Sequence, residues 1–332
     1  MNRLRGFALL AVATAASALM VTPAQAAGKN EVRYGWVGSC AKKDYTIPCG
    51  PWHLALGGGK DVVLKDAVVY PTAAGGKIDK ESSAPISISG DGRFVGYFRA
   101  SDRKLVVRDI ASGSVKALPG KAAVAPKSVG MVNVDPTFSP DGRRVVVDYY
   151  DDDSKLPSLL VDLATGAVHR IPGNETVQGF SPDGSHLLTT RGTDDNTTEM
   201  AVYDESGAEV RSKVVPQVVA NNAPIALADD GVTVGLVIVS PQTNGKTRLR
   251  TYDLSTDGVS DAVTLRLPTG ESPTRLVWSA SGEATLWTLK SDAEGNTNQA
   301  VKRSLNTGTG ATAVRDSFRI KSGIWTWWLP GD

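Results

Sequence analysis

The sequence predicts an all-β chain folded as a six-bladed β-propeller, and three features predict it. One turn pattern recurs five times along the 332 residues, with its glycines Gly92, Gly142, Gly184, Gly231 and Gly282 spaced by 50, 42, 47 and 51. A second hairpin signature follows each copy about twenty residues later. Gly (34) and Pro (18) are spread throughout, so no long helical period survives between them. Hydrophobic residues at 41% and charged residues at 21% are globular values, which argues against a disordered or fibrous chain.

The first pattern ends in a tight turn. Its copies contain Ser89-Gly90-Asp91-Gly92, Ser139-Pro140-Asp141-Gly142, Ser181-Pro182-Asp183-Gly184, Ala228-Asp229-Asp230-Gly231 and Ser279-Ala280-Ser281-Gly282. Pro presets φ at the first corner, Asp caps the local backbone, and Gly supplies the positive φ that closes a hairpin. Turn chemistry therefore accounts for these aspartates without catalysis. The second signature is Asp109 to Gly113, Asp162 to Gly166, Asp204 to Gly207 and Asp253 to Gly258, and the fifth copy, residues 302–308, has Ser304 where the others have Asp. Two hairpins per period make four antiparallel strands, which is one blade.

In the second repeat the strands are expected to end at Phe138 and to span 144–150, 158–162 and 167–171. A blade buries its sheet faces only against its neighbours, so the ring has to close. The expected sixth blade is composite, with residues 320–329 as its first half and residues 52–64, a hairpin turned on Gly57, Gly58 and Gly59, as its second. A six-blade division of residues 27–332 leaves 51 per blade, and seven blades would leave about 44. Six is the expectation, with seven the alternative.

The N-terminus combines Arg3 and Arg5, an apolar run from Phe7 to Val21 and Ala24-Gln25-Ala26, the pattern of a secretory signal peptide cut after Ala26. Residues 1–26 are thus read as a leader, 27–51 as an N-terminal segment and 52–332 as one propeller domain. Lys plus Arg (36) nearly balance Asp plus Glu (35), and cleavage removes two arginines, so the exported chain carries a formal −1. That balance is not the electrostatic footprint of a nucleic-acid binder. The longest later apolar run, residues 232–239, is strand-length, so no stable membrane insertion is expected. Cys40 and Cys49, the only cysteines, are expected to pair in an oxidising compartment. The rival is a metal site, for which two thiolates with only His53 nearby make a poor tetrahedral set.

The Ser-Pro-Asp-Gly turn, the apolar strand after it and the later Asp-x-x-Thr/Ser-Gly hairpin together resemble the TolB-like (PD40, WD40-like) propeller repeat of bacterial envelope proteins. The full tetrapeptide occurs twice, at Ser139 and Ser181, with looser copies elsewhere. True WD40 repeats match less well, because no Trp-Asp dipeptide occurs. Residues 27–51 are too few for the separate N-terminal domain of TolB, which confines the resemblance to the propeller.

No catalytic, cofactor-binding or metal-binding residue is assigned. Gly258-Val259-Ser260-Asp261-Ala262 misses the last glycine of a nucleophile elbow, and Gly57-Gly58-Gly59-Lys60 lacks the Ser/Thr of a phosphate loop. The three histidines, His53, His169 and His186, form no ligand pair at useful spacing; His186 reads as a surface-facing strand residue and His169 as a solvated one on an outer strand. Asp151-Asp152-Asp153 could hold Ca²⁺, although dedicated loops alternate ligands with spacers, and a solvated loop is the plainer reading. Trp325 and Trp327 are expected on one strand face and Trp328 on the other, packed inside the closing blade.

The functional expectation is a secreted, monomeric, non-catalytic scaffold for a protein or peptide partner, since rigid rings display loops at both ends of a central channel. The alternative is a secreted enzyme or carbohydrate-binding protein with its site in the funnel. Two carboxylates there need no histidine.

Overall fold

The structure, a computed structural model, describes residues 28–151, 155–239, 246–278 and 283–332. The leader of residues 1–26, Asp152, Asp153 and the fifth turn copy at residues 279–282 lie outside the described residues. The chain begins with three strands, β1 (Val32–Lys42), β2 (Tyr45–Leu56) and β3 (Asp61–Leu64). Five blades follow, each from one run of chain. Blade 1 is β4 (Ile86–Ile88), β5 (Phe94–Phe98), β6 (Leu105–Asp109) and β7 (Val115–Ala117). Blade 2 is β8 (Val134–Phe138), β9 (Arg144–Tyr149), β10 (Ser158–Asp162) and β11 (Val168–Ile171), close to the limits expected from the repeat.

Blade 3 is β12 (Thr176–Phe180), β13 (His186–Gly192), β14 (Thr198–Asp204) and β15 (Glu209–Val215). A short helix, α1 (Gln217–Ala220), leads into blade 4, which is β16 (Ile225–Leu227), β17 (Thr233–Val239), β18 (Thr247–Asp253), β19 (Gly258–Val259) and β20 (Val263–Thr264). Here β19 and β20 both pair with β18. Blade 5 is β21 (Glu271–Trp278), β22 (Ala284–Ser291), β23 (Thr297–Leu305) and β24 (Thr312–Arg319). The last strand, β25 (Ile324–Trp328), pairs antiparallel with β1 and completes the sixth sheet in the order β25-β1-β2-β3. There are six blades, not seven.

Closure differs from the expectation in its shares. The C-terminal run contributes one strand and the N-terminal run three, because residues 32–56 form a long hairpin paired from Val32↔Leu56 to Lys42↔Tyr45. Residues 32–51, read from sequence as a segment ahead of the propeller, are therefore part of its sheet. β1 is buried on both faces, with Val32 and Val37 packed towards blade 1 and Tyr34 and Trp36 towards blade 5. The Cys40–Cys49 disulfide crosses this hairpin near its tip.

The turn chemistry is as the sequence implies. In the second copy Ser139 Oγ donates to Asp141 Oδ1 (2.7 Å), Arg143 N donates to the same oxygen (3.0 Å) and Arg144 N donates to Ser139 Oγ (3.0 Å). Ser89 and Asp91, and Ser181 and Asp183, repeat this pattern. The fifth hairpin is shifted: Asn306, not Ser304, stands in for the aspartate, and its Oδ1 accepts from Gly308 N and Thr309 N. Each seam between blades holds its own apolar cluster, six in all, so burial closes the ring as one core per interface. No helix among the described residues is long and apolar enough to cross a membrane.

Candidate binding cavity

The six inner strands, β25, β4, β8, β12, β16 and β21, stand around the axis in that order, each in contact with the next from β25 to β21. Inside them lies a cavity of about 860 Å³, within the usual size range of ligand sites. Its wall is uneven. Register shifts at Val177/Gly179 in β12 and at Pro273/Arg275 in β21 break the inner ladders of blades 3 and 5. On these two blades residues of the second and third strands reach the cavity: Thr190 and Met200 in blade 3, Trp287 and Lys302 in blade 5. Phe138, Phe180 and Leu276 add apolar surface, and Gln178, Asn221 and Asn222 add amides.

Residues 330–332 also line the cavity. Gly331 N donates to Ile88 O (2.6 Å), Leu329 N donates to Asp332 Oδ2 (2.6 Å), and Arg275 Nη1 meets Asp332 Oδ1 at 3.1 Å. A recess of about 190 Å³ shares Asp91, Trp287, Lys302 and Pro330 with the main cavity and is bordered by Glu31, Arg33 and Asp316. Arg33 donates twice to Asp316, from Nε at 3.0 Å and Nη2 at 2.9 Å. Lys302 Nζ lies 5.7 Å from the Trp287 ring centroid, and burial pushes its ammonium below the ordinary lysine value against the opposing pull of Asp316 and Glu31.

On the inner strand β8, Asp135 is raised above the ordinary carboxyl value, first by burial and then by the charges of Asp148 and Asp332, while a hydrogen bond from Tyr150 Oη (2.9 Å) works the other way. Asp148 itself accepts from Ser158 Oγ at 2.6 Å. The sequence reading missed Arg275, Lys302, Asp135 and Asp332. Arg275, Lys302 and Asp135 are charged residues within strands, which local patterning does not separate from outward-facing ones, and Asp332 lies in the C-terminal turn beyond β25, where no pattern marks it.

With this geometry in view, comparison with known proteins adds likeness of shape. No family model matches the chain, and no curated protein matches it. Among solved structures, it is similar to a protein assigned as TolB from Agrobacterium tumefaciens, at 12% identity over 88% of this chain and 91% of that one, TM-score 0.48. An oligogalacturonate lyase from Vibrio parahaemolyticus is similar at 12% identity over 85% and 77%, TM-score 0.46. A protein assigned as a 6-phosphogluconolactonase from Bacteroides uniformis is similar at 14% identity over 90% and 99%, TM-score 0.38. The TolB-like resemblance of the repeat is one of fold.

None of the histidines weighed from sequence lines the cavity. His53, on β2, stacks on Trp36 with ring centroids 4.0 Å apart, and burial lowers it below the ordinary imidazole value, with Asp61 opposing and Lys321 adding to the shift. His169 sits half-buried on the outer strand β11, where its Cβ would crowd any side chain at Gly207, rather than standing free in solvent. His186 is half-buried under Gly231 of the next blade, and its Nδ1 lies 2.8 Å from Ser185 Oγ, so it packs in a seam rather than facing solvent.

Asp151 Oδ2 accepts from the backbone N–H of Lys155 and Leu156. Among the described residues no three His, Cys, Asp or Glu side chains gather as a metal site. The tryptophans of β25 pack inside the closing blade, with Trp327 and Trp328 on opposite faces as expected but Trp325 on the face of Trp328. Trp325 and Trp328 lie against the cluster shared with blade 1, and Trp327 against the one shared with blade 5. The reason is the shift between Val37 and Gly38 of β1, opposite which Trp325 is an extra residue that inverts the alternation.

Proposed function

We propose that the protein is an exported, monomeric, non-catalytic scaffold that holds a peptide segment of a protein partner in its axial cavity. The observation that carries this reading is the lining of the 860 Å³ cavity: amides and hydroxyls set among Phe138, Phe180 and Leu276, with no histidine on the wall. Such a wall offers backbone partners and side-chain contacts but no nucleophile beside a base. The disulfide and the leader-like residues 1–26 support export.

Acid/base chemistry in the funnel is less well supported. Of the carboxylates on its wall, Asp91 is held by Ser89 Oγ and Arg93 N, and Asp332 by Arg275 and Leu329 N. The test is affinity capture from culture supernatant and cell-wall extract with the exported chain and with Thr137→Trp, which fills the cavity from β8. A protein retained by the first and lost with the second supports the reading. Recovery of glycans alone overturns it.

A further inference from the structure

Four side chains form a row across blade 5. Arg275 pairs in register with Trp287, Trp287 with Lys302 and Lys302 with Asp316, so all four share one sheet face, the face turned to the closing blade. The ends of the row are neutralised, Arg275 by Asp332 at 3.1 Å and Asp316 by Arg33 at 2.9 Å. Between them Lys302 makes no ion pair and no hydrogen bond with any described residue; its Nζ lies 5.7 Å from the Trp287 ring centroid, and the carboxylates of Asp316 and Glu31 act on it from beyond ion-pair distance.

The remaining carboxylates that border the recess are already engaged. Glu31 Oε2 accepts from Gly28 N at 2.5 Å, and Asp91 Oδ1 from Ser89 Oγ at 2.5 Å and Arg93 N at 3.0 Å. Lys302 lines both the main cavity and the recess, so a bound molecule can reach it from the axis. A cation taken out of water without a counter-ion costs free energy, and a carboxylate arriving with its ligand offsets that cost by a charge-assisted hydrogen bond. The Trp287 face beside it offers apolar area to whatever group adjoins that carboxylate.

We propose that Lys302 and Trp287 form a receptor for a carboxylate of the bound peptide, either its free C-terminus or an Asp or Glu side chain. This rests on the peptide reading above and specifies its anchor. The test uses three pools of random heptapeptides passed over the immobilised full exported chain: free C-terminus without Asp or Glu, amidated without Asp or Glu, and amidated with Asp and Glu. Retained peptides are counted by mass spectrometry for the wild type, Lys302→Met and Lys302→Arg.

A carboxylate-bearing pool is expected to be enriched about tenfold over the carboxylate-free pool, with the enrichment lost in Lys302→Met and kept in Lys302→Arg. Enrichment of the first pool names the chain terminus as the source, and of the third the acidic side chain. Equal retention of all pools overturns the carboxylate anchor while leaving peptide binding in place. Retention of none overturns both. Matching thermal melts of the two variants and the wild type separate loss of the anchor from loss of the fold.

Discussion

The ring of Phe94 occupies the space that a Cβ on Gly142 would need, so the turn of blade 2 sits directly on the residue two beyond the turn glycine of blade 1. The relation recurs. A Cβ on Gly231 would lie 2.9 Å from His186 Nε2, and Arg144 Nη1 donates to Gly184 O at 2.9 Å. Phe94, Arg144 and His186 hold equivalent positions, and each meets the next blade's turn. Gly142 is therefore fixed twice over, by a φ of 67° and by the neighbouring blade.

Gly142→Ala should cost about 2–4 kcal/mol, the sum of a left-handed backbone and an overpacked seam. Gly166→Ala has a similar φ of 75° but nothing near its Cβ, and should cost only about 1–2 kcal/mol. Urea unfolding of the two variants checks the difference. Equal losses would remove the seam from the explanation.

Glu271 heads the inner strand of blade 5 with its side chain 1% exposed, and accepts from Arg303 Nε and Nη2 and from Thr288 Oγ1, each at 2.7 Å. Burial pushes its carboxyl up, but the bonds from Arg303 and Thr288 prevail and hold it below the ordinary value of 4.5. On acidification the unfolded chain takes up this proton first. The stabilisation is thus full above pH 4.5 and is lost as pH falls through the lowered folded value. Glu271→Gln strands Arg303, should cost about 3–5 kcal/mol at pH 7, and should flatten the acid limb of a melting-temperature profile.

Asp135 has the opposite sign. Its folded value lies above the ordinary 3.8, so the fold loses stability as pH rises from 3.8 through the raised value. Asp135→Asn keeps an acceptor for Tyr150 Oη and removes the charge. Melting temperature should rise at pH 7 and match wild type near pH 3; a fall at pH 7 would contradict the assignment.

The Cys40–Cys49 bridge closes a loop of sequence separation 9, for which chain entropy allows at most about 2–3 kcal/mol. β1 and β2 already pair through this region, at Ser39↔Pro48 and Lys42↔Tyr45. Cys40→Ser with Cys49→Ser should speed amide exchange at the hairpin tip and leave the amides of blades 2 to 4 unchanged.

Legibility followed range. The strand limits of blade 2 and the Ser–Asp–Gly turns were readable because a hairpin turn is made by residues within six positions of one another, and Gly takes its positive φ at the least cost. The closing blade was half readable: Trp327 and Trp36 pair across almost the whole chain, and nothing local states that one strand, not two, comes from the C-terminal end. A one-residue shift next to Val37 then moved Trp325 to the face of Trp328.

By itself the amino-acid order determined the blade and its five continuous copies, which depend on short-range geometry repeated at a near-constant period, and the pairing of the only two cysteines, nine positions apart. Only the closed ring decided that Arg275, Trp287 and Lys302 look into a cavity and that Asp332 neutralises the first of them. Those placements come from bulged inner strands and from segments more than fifty residues apart. A lysine on a strand carries the same local pattern whether it faces water or the axis.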